Sequence, residues 1–283
     1  MYRRSGTGKR YGLYCLGWIL TFILVCGSAQ AATLYEQSRQ KLLSGMAGIQ
    51  KEPYTFVVMG DSRGNDKVFV KCLLAAASYH PLFILHAGDA VSTGSEEQFR
   101  HFLETLQKTL PDMPVFVAAG NHELTNRDKR DEGKALFQQL IGPLDYVLDL
   151  PEINARFIVL DNSSNYLTPR QIDYLQTELR GETCLKFVIM HVPPQTHKWI
   201  DDHTFTKGAD AFLQTLSGFN VAGVFYGHYH LYDEDMLAGT RHIITGGAGA
   251  PLARLYFGDP SYHFVVVTLS SGKVSTEKVL VSE

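Results

Sequence analysis

Six side chains suited to binding metal ions, Asp61, Asp89, Asn121, His191, His228 and His230, each follow closely on a short apolar run. The runs end in Gly60-Asp61-Ser62-Arg63, Gly88-Asp89, Gly120-Asn121-His122-Glu123, Met190-His191 and Gly227-His228-Tyr229-His230. Each cluster has an ordinary explanation on its own. An aspartate after a strand is usually a turn residue or helix cap, Gly-Asn-His reads as a turn, and a lone histidine is more often a hydrogen-bonded structural group than a ligand. His228 and His230 weigh more, because residues two apart in an extended segment point the same way. Joint occurrence decides for chemistry: successive runs deliver carboxylate, carboxylate, carboxamide, imidazole and paired imidazoles. Mixed oxygen and nitrogen donors suit manganese, iron or zinc, whereas magnesium and calcium favour oxygen alone. The cysteine cluster of a structural zinc site is missing.

The elements that must hold these residues read as α/β. From Tyr54 onward apolar runs alternate with helical patterns, predicting strands at Thr55 to Met59, Leu82 to His86, Val115 to Ala119, Arg156 to Leu160 and Leu185 to Met190. Helices are predicted over Lys67 to Ala77, after a capping box at Ser95 to Gln98, and between Thr168 with its following Pro169 and a stop at Gly181. Beyond them Val221 to Tyr226, His242 to Thr245, His263 to Leu269 and Val274 to Val281 read as strands, the last two joined by a Ser271-Gly272 turn. Open α/β sheets bind ligands beyond the carboxyl ends of their strands, which is where the six residues fall.

These five blocks, in order and approximate spacing, resemble the calcineurin-like metallophosphoesterase superfamily, which also contains the purple acid phosphatases. The resemblance implies a four-layer α/β/β/α sandwich of two mixed sheets, and Gly246-Gly247-Ala248-Gly249-Ala250 with the strands after it resembles the family's C-terminal sheet. It also implies hydrolysis of a small phosphoester, monoester or diester, at a centre of two divalent ions (Mn, Fe or Zn). Carried over position by position, Asp89 bridges the ions, Asn121, His191 and His228 complete one site, and Asp61 and His230 belong to the other. His122 is implied to serve the substrate, by hydrogen-bonding its phosphate or protonating the leaving group. One departure is plain: the first block usually reads Asp-x-His, and Arg63 stands in place of that histidine. Purple acid phosphatases lack it too but supply a tyrosine after the second block, where this chain has Ser92. A guanidinium has no lone pair and cannot ligate. Repelled by an ion, Arg63 is expected to turn toward the phosphate, where two-pronged hydrogen bonding suits an oxyanion, and the site it adjoins is expected to hold its ion weakly.

The rest of the sequence bounds the setting. Arg3, Arg4, Lys9 and Arg10, an apolar stretch from Tyr11 to Cys26, and Ala29-Gln30-Ala31 form the layout of a secretory signal over residues 1–31, with the domain at 32–283. The protein is expected to be exported, periplasmic or secreted, touching membrane only through that signal; the apolar stretch is short for an anchor. Cys72 and Cys184 remain after its removal, as a disulfide or as two buried thiols. A net charge of −3 over 283 residues argues against nucleic acid as a partner. A competing class is a metal-stabilised binding protein without turnover, against which the retention of His122 argues.

Overall fold

The computed structural model describes residue 1 and residues 31–47, 49, 52–124, 130–180 and 185–283. Residues 2–30 of the expected export signal, Gly181 and Cys184 lie outside the described residues. In chain order the elements are α1 (Leu34–Met46), β1 (Tyr54–Met59), α2 (Asp66–Ala77), β2 (Ile84–His86), α3 (Glu96–Thr109), β3 (Val115–Val117), α4 (Arg130–Leu140), β4 (Tyr146–Leu150), β5 (Ala155–Val159), α5 (Pro169–Leu179), β6 (Leu185–Ile189), α6 (Ala209–Ser217), β7 (Gly223–Tyr226), β8 (Tyr232–Leu237), β9 (Thr240–Thr245), β10 (His263–Ser270) and β11 (Lys273–Leu280).

One sheet has the order β11-β10-β1-β2-β3 and the other β4-β5-β6-β7-β9-β8. Both are mixed: β1, β2 and β3 are parallel while β10 runs against β1, and β5, β6, β7 and β9 are parallel between antiparallel β4 and β8. The period-two alternation of strand side chains feeds two apolar layers from every central strand. Phe56 and Val58 of β1, Phe157 and Val159 of β5, Phe187 of β6 and Phe225 of β7 meet between the sheets. Phe56 packs on Phe83, Phe157 and Phe187 with ring centroids 5.5, 4.9 and 5.3 Å apart. Alternate residues face outward: Val57 and Met59 meet Phe69 of α2 and Phe99 and Phe102 of α3, while Ile158 and Val188 meet Leu175 of α5 and Phe212 of α6. The result is the expected four-layer sandwich.

The helix start at Thr168 holds, with a reciprocal capping box and Pro169 in the first turn. At Ser95 only half the box forms: its hydroxyl accepts from Gln98 N, but Gln98 Oε1 accepts instead from the amides of Ser92 and Thr93, bracing the loop after β2. Ser271 and Gly272 both have positive φ, 52° and 72°, the pattern of a tight hairpin turn between β10 and β11.

Five elements escape the sequence pattern. Strands β4 and β8 lie at the edges of their sheet; β4 carries exposed Asp149, and in β8 Asp233 and Asp235 fall on the more buried face with Leu237 while Met236 is exposed, which hides their periodicity. Helix α6 begins at Gly208, which provides no side-chain cap. Helix α4 opens on Asp131 and Glu132 and then carries Gly133, a poor helix former. Helix α1, started by a Thr33/Glu36 capping box, slots Leu42 and Met46 into the layer between the sheets. Its Ser38 hydroxyl accepts from Val115 N of edge strand β3 at 2.9 Å, satisfying an amide that would otherwise be buried unpaired. No helix among the described residues is long and apolar enough to cross a membrane.

Candidate metal centre

The backbone leaves β1, β2 and β7 through the left-handed region, which side-chain-bearing residues rarely adopt: Asp61, Asp89 and His228 have φ of 59°, 55° and 70°. Such conformations persist only where surroundings enforce them, and they cluster at functional sites. Asp61 N donates to Gly88 O at 2.9 Å and Arg63 N to Asp89 O at 3.3 Å, locking the first two loops together. The glycines of the motifs are spatial requirements: a Cβ on Gly88 would stand 2.7 Å from His191 Nδ1, and one on Gly120 2.2 Å from Asp89 Oδ1. The Gly246–Ala250 segment backs the first loop, with Ala248 N donating to Gly60 O and Ala250 N to Asp61 O at 3.0 and 2.7 Å.

All six residues converge. Two groups of potential ligand atoms form, one from Asp89, His191 and His228 and one from Asp61, Asp89 and His230, each with its atoms within 4.8 Å of one another and Asp89 common to both. His191 Nε2 lies 3.1 Å from Asn121 Oδ1, 3.3 Å from Asp89 Oδ1 and 3.1 Å from His228 Nδ1, so Asn121 joins the first group. His230 Nε2 lies 3.5 Å from Asp61 Oδ1. The second nitrogen of two rings is already committed: His191 Nδ1 donates to Ala87 O at 2.8 Å and His230 Nδ1 to Pro251 O at 2.7 Å, which turns each Nε2 lone pair inward. Asp61 Oδ1 and Asp89 Oδ2 are buried with no hydrogen-bond partner. Buried carboxylate oxygens without partners are costly unless a cation satisfies them, and an oxygen-and-imidazole set of this kind fits a transition-metal ion.

The electrostatics of the cluster show the same tension. Burial pushes Asp61 up to about 8, against the lowering pull of His191. Burial acts the same way on Asp89, but His191 and His122 outweigh it and hold its carboxyl below the usual carboxylate range. Burial depresses His191, yet Asp89 and Asp61 prevail and raise it to about 9. His230 falls to about 4 and His228 well below its ordinary value, both chiefly through burial.

His122 stands beside this cluster. Its amide donates to Asp89 Oδ1 at 2.9 Å, its Nδ1 to Ser92 O at 2.8 Å, and its Nε2 lies 3.9 Å from Asp89 Oδ2. Arg63 lies on the opposite group, with Nε 3.4 Å from Asp89 Oδ2 and Nη2 3.3 Å from His230 Nε2. A cavity of about 250 Å³ lies over the centre, lined by Arg63, Asn121, His122, His203, His230 and Leu255 among others.

The histidine pair converges by a route the alternation argument did not foresee. Residues 227–230 form a bend, not an extended strand. The left-handed turn at His228 presents Nδ1 to one group while His230 presents Nε2 to the other, so the pair serves two groups instead of sharing one face.

Two contributors, Glu123 and Asn162, were missed. Glu123 is fully buried and accepts from the amides of Asp89, Ala90 and Gly120 at 2.9, 2.7 and 2.5 Å, clasping the second loop to the third. Asn162 accepts from the amides of His191 and Val192 at 3.1 and 3.0 Å and donates to Val192 O, fixing the His191 loop. It follows β5, so the rule of looking just past strand ends would have found it. His203 comes from the polar segment between Val192 and Thr206, which in the sequence reads equally well as a substrate-selecting rim or a solvated loop; it lines the cavity, and its ring centroid lies 5.6 Å from that of His228. The same segment is anchored by buried Trp199, whose indole donates to Asp233 Oδ2 at 2.8 Å.

Solved structures share this architecture. The purple acid phosphatase PPD1 from yellow lupin (Lupinus luteus) seeds aligns with a TM-score of 0.66 and 18% identity over 81% of this chain, which spans only 52% of the lupin protein. GAP50, the anchor in the inner membrane complex of Plasmodium, gives 0.62 and 16% over 81% of this chain and 85% of its own. A dimetal phosphatase from Danio rerio gives 0.59 and 16% over 80% and 96%. At these identities the likeness is one of fold. No curated protein matches the chain by sequence. The family model for calcineurin-like phosphoesterases matches residues 54–232, from β1 through the histidine pair into β8, and so takes in every residue of the centre; the chain belongs to the calcineurin-like phosphoesterase family, a family of phosphoric ester hydrolases.

Proposed function

We propose that this protein is an exported, metal-dependent phosphoesterase that hydrolyses a small phosphomonoester or phosphodiester by direct attack of water. The observation that carries this reading is the pair of donor groups joined at Asp89, with Asp61 Oδ1 and Asp89 Oδ2 buried and accepting no hydrogen bond. Members of the family typically use a dinuclear centre. Here Asp89, Asn121, His191 and His228 would hold one divalent ion and Asp61, Asp89 and His230 a second, more weakly held, with manganese, iron or zinc fitting the donors. When bound, such ions neutralise phosphate charge and acidify the attacking water.

The chain's own residues supply the rest. Glu123 and Asn162 keep the ligand loops in register. His122, oriented by its Nδ1 bond to Ser92 O, faces the cavity and would hydrogen-bond a phosphate oxygen or hand a proton to the leaving group. Arg63, on the far side of Asp89, would bind another phosphate oxygen. The basic, apolar and small-residue pattern at the N-terminus supports export, with processing before Ala32.

Assay of residues 32–283 against a panel of nitrophenyl phosphomonoesters and phosphodiesters, with manganese, iron and zinc each supplied in turn, tests the reading. Ion-dependent release of nitrophenol from at least one class supports it. Failure across the panel with every ion, from protein that binds those ions, would overturn it in favour of a metal-stabilised binding protein.

A further inference from the structure

Electrostatic repulsion leads one to expect Arg63 away from the ligands, yet its guanidinium lies among them. Nε is 3.4 Å from Asp89 Oδ2, and Nη2 is 3.3 Å from His230 Nε2. These atoms face the inside of the weaker group: Asp89 Oδ2 has no hydrogen-bond partner, and His230 Nε2 is the nitrogen left after Nδ1 is committed to Pro251 O. The Arg63 side chain is 19% exposed, so its charge is largely enclosed and set against two buried carboxylates. A guanidinium donates and cannot ligate. Standing within reach of two of the three donors, it competes with an ion for the same place while supplying the positive charge that place demands.

We infer that Arg63 is a tethered cation that takes the part of the second ion. The protein holds one divalent ion tightly, in the Asp89, Asn121, His191 and His228 group, and the guanidinium neutralises the Asp61, Asp89 and His230 group. Of its five N–H donors, those not turned to Asp89 and His230 remain for a phosphate oxygen that would otherwise rest on the second ion. This rests on the metal-dependent reading above, but its test reads ion binding apart from turnover.

Chelator-stripped protein is titrated with manganese alone by calorimetry, and ion content is measured after gel filtration. The unaltered protein should show one tight ion. Arg63→His, which restores a donor and removes the charge, should show two, the second tightened by about tenfold or more. Arg63→Gln should also admit a second ion, and serves if the histidine variant does not fold; Arg63→Lys should remain at one. In chelator, Arg63→Gln should melt below the unaltered protein, and manganese should raise its melting temperature more. Two ions of comparable affinity in the unaltered protein, or a natively folded Arg63→His and Arg63→Gln that both stay at one, would overturn the inference. If stoichiometry moves as expected while no phosphoester is cleaved, the proposed function fails and this inference stands.

Discussion

The layer between the sheets and the edge where their loops meet obey opposite rules. Between the sheets, Phe56, Phe157, Phe187 and Phe225 pack ring on ring with no polar atom to satisfy, and every contact favours the fold. At the edge, two aspartates and a glutamate are buried among histidines, three ligand residues hold left-handed backbone, and carboxylate oxygens lack hydrogen bonds. An edge of that kind destabilises the fold unless a cation completes it. The first region therefore stabilises what the second spends, a separation that substitutions in each should expose.

The largest expected effect is at the edge. Asp89→Ala removes the carboxylate common to both groups, so turnover and ion content by elemental analysis should both fall to background. Full ion content in that variant would show that Asp89 is not the shared ligand. In the inter-sheet layer, Phe157→Ala should destabilise by about 3–5 kcal/mol in chemical denaturation, while the fraction that stays folded still binds its ion. His122→Ala tests a residue beside the cluster: turnover should fall on the order of a hundredfold with ion content unchanged. Ion loss together with activity would move His122 into the ligand set.

The smallest effect carries the sharpest sign. Burial raises the Asp61 carboxyl from near 4 in the unfolded chain to about 8 in the fold. Between those values the unfolded state has released a proton that the folded state keeps, so metal-free protein should lose stability as pH rises from about 4 to 8. Asp61→Asn keeps the shape and removes the charge; in chelator at pH 8 it should be more stable than the unaltered protein, on the order of 1–3 kcal/mol. Melting curves across pH check this, and an Asn variant less stable throughout would mean that the carboxylate is already compensated without metal.

Much of this organisation was legible in the residues because the same physics writes both. Continuous apolar runs such as Phe56-Val57-Val58-Met59 mark strands buried on two faces, and the polar residue after each run marks the edge that binds. Edge strand β4 was hidden by its exposed Asp149, and β8 because buried Asp233, held by Lys198 and Trp199, stands where an apolar residue would mark the strand. Glu123 was quoted within a motif without a role, since clasping amides 32 to 34 positions back in sequence depends on how two loops meet. The Arg63 departure was visible as a letter, but its seat against Asp89 and His230 required the fold.

The central claim is that ion occupancy at the Asp89-centred edge produces phosphoester hydrolysis. Manganese titration of chelator-stripped protein, following bound ion and nitrophenol release in the same samples, tests it most directly. Hydrolysis should be absent without ion, rise in step with occupancy of the Asp89, Asn121, His191 and His228 group, and stay absent in Asp89→Asn at any manganese concentration. Hydrolysis that persists in chelator, or a filled site that releases no product from any ester tried, would contradict the account.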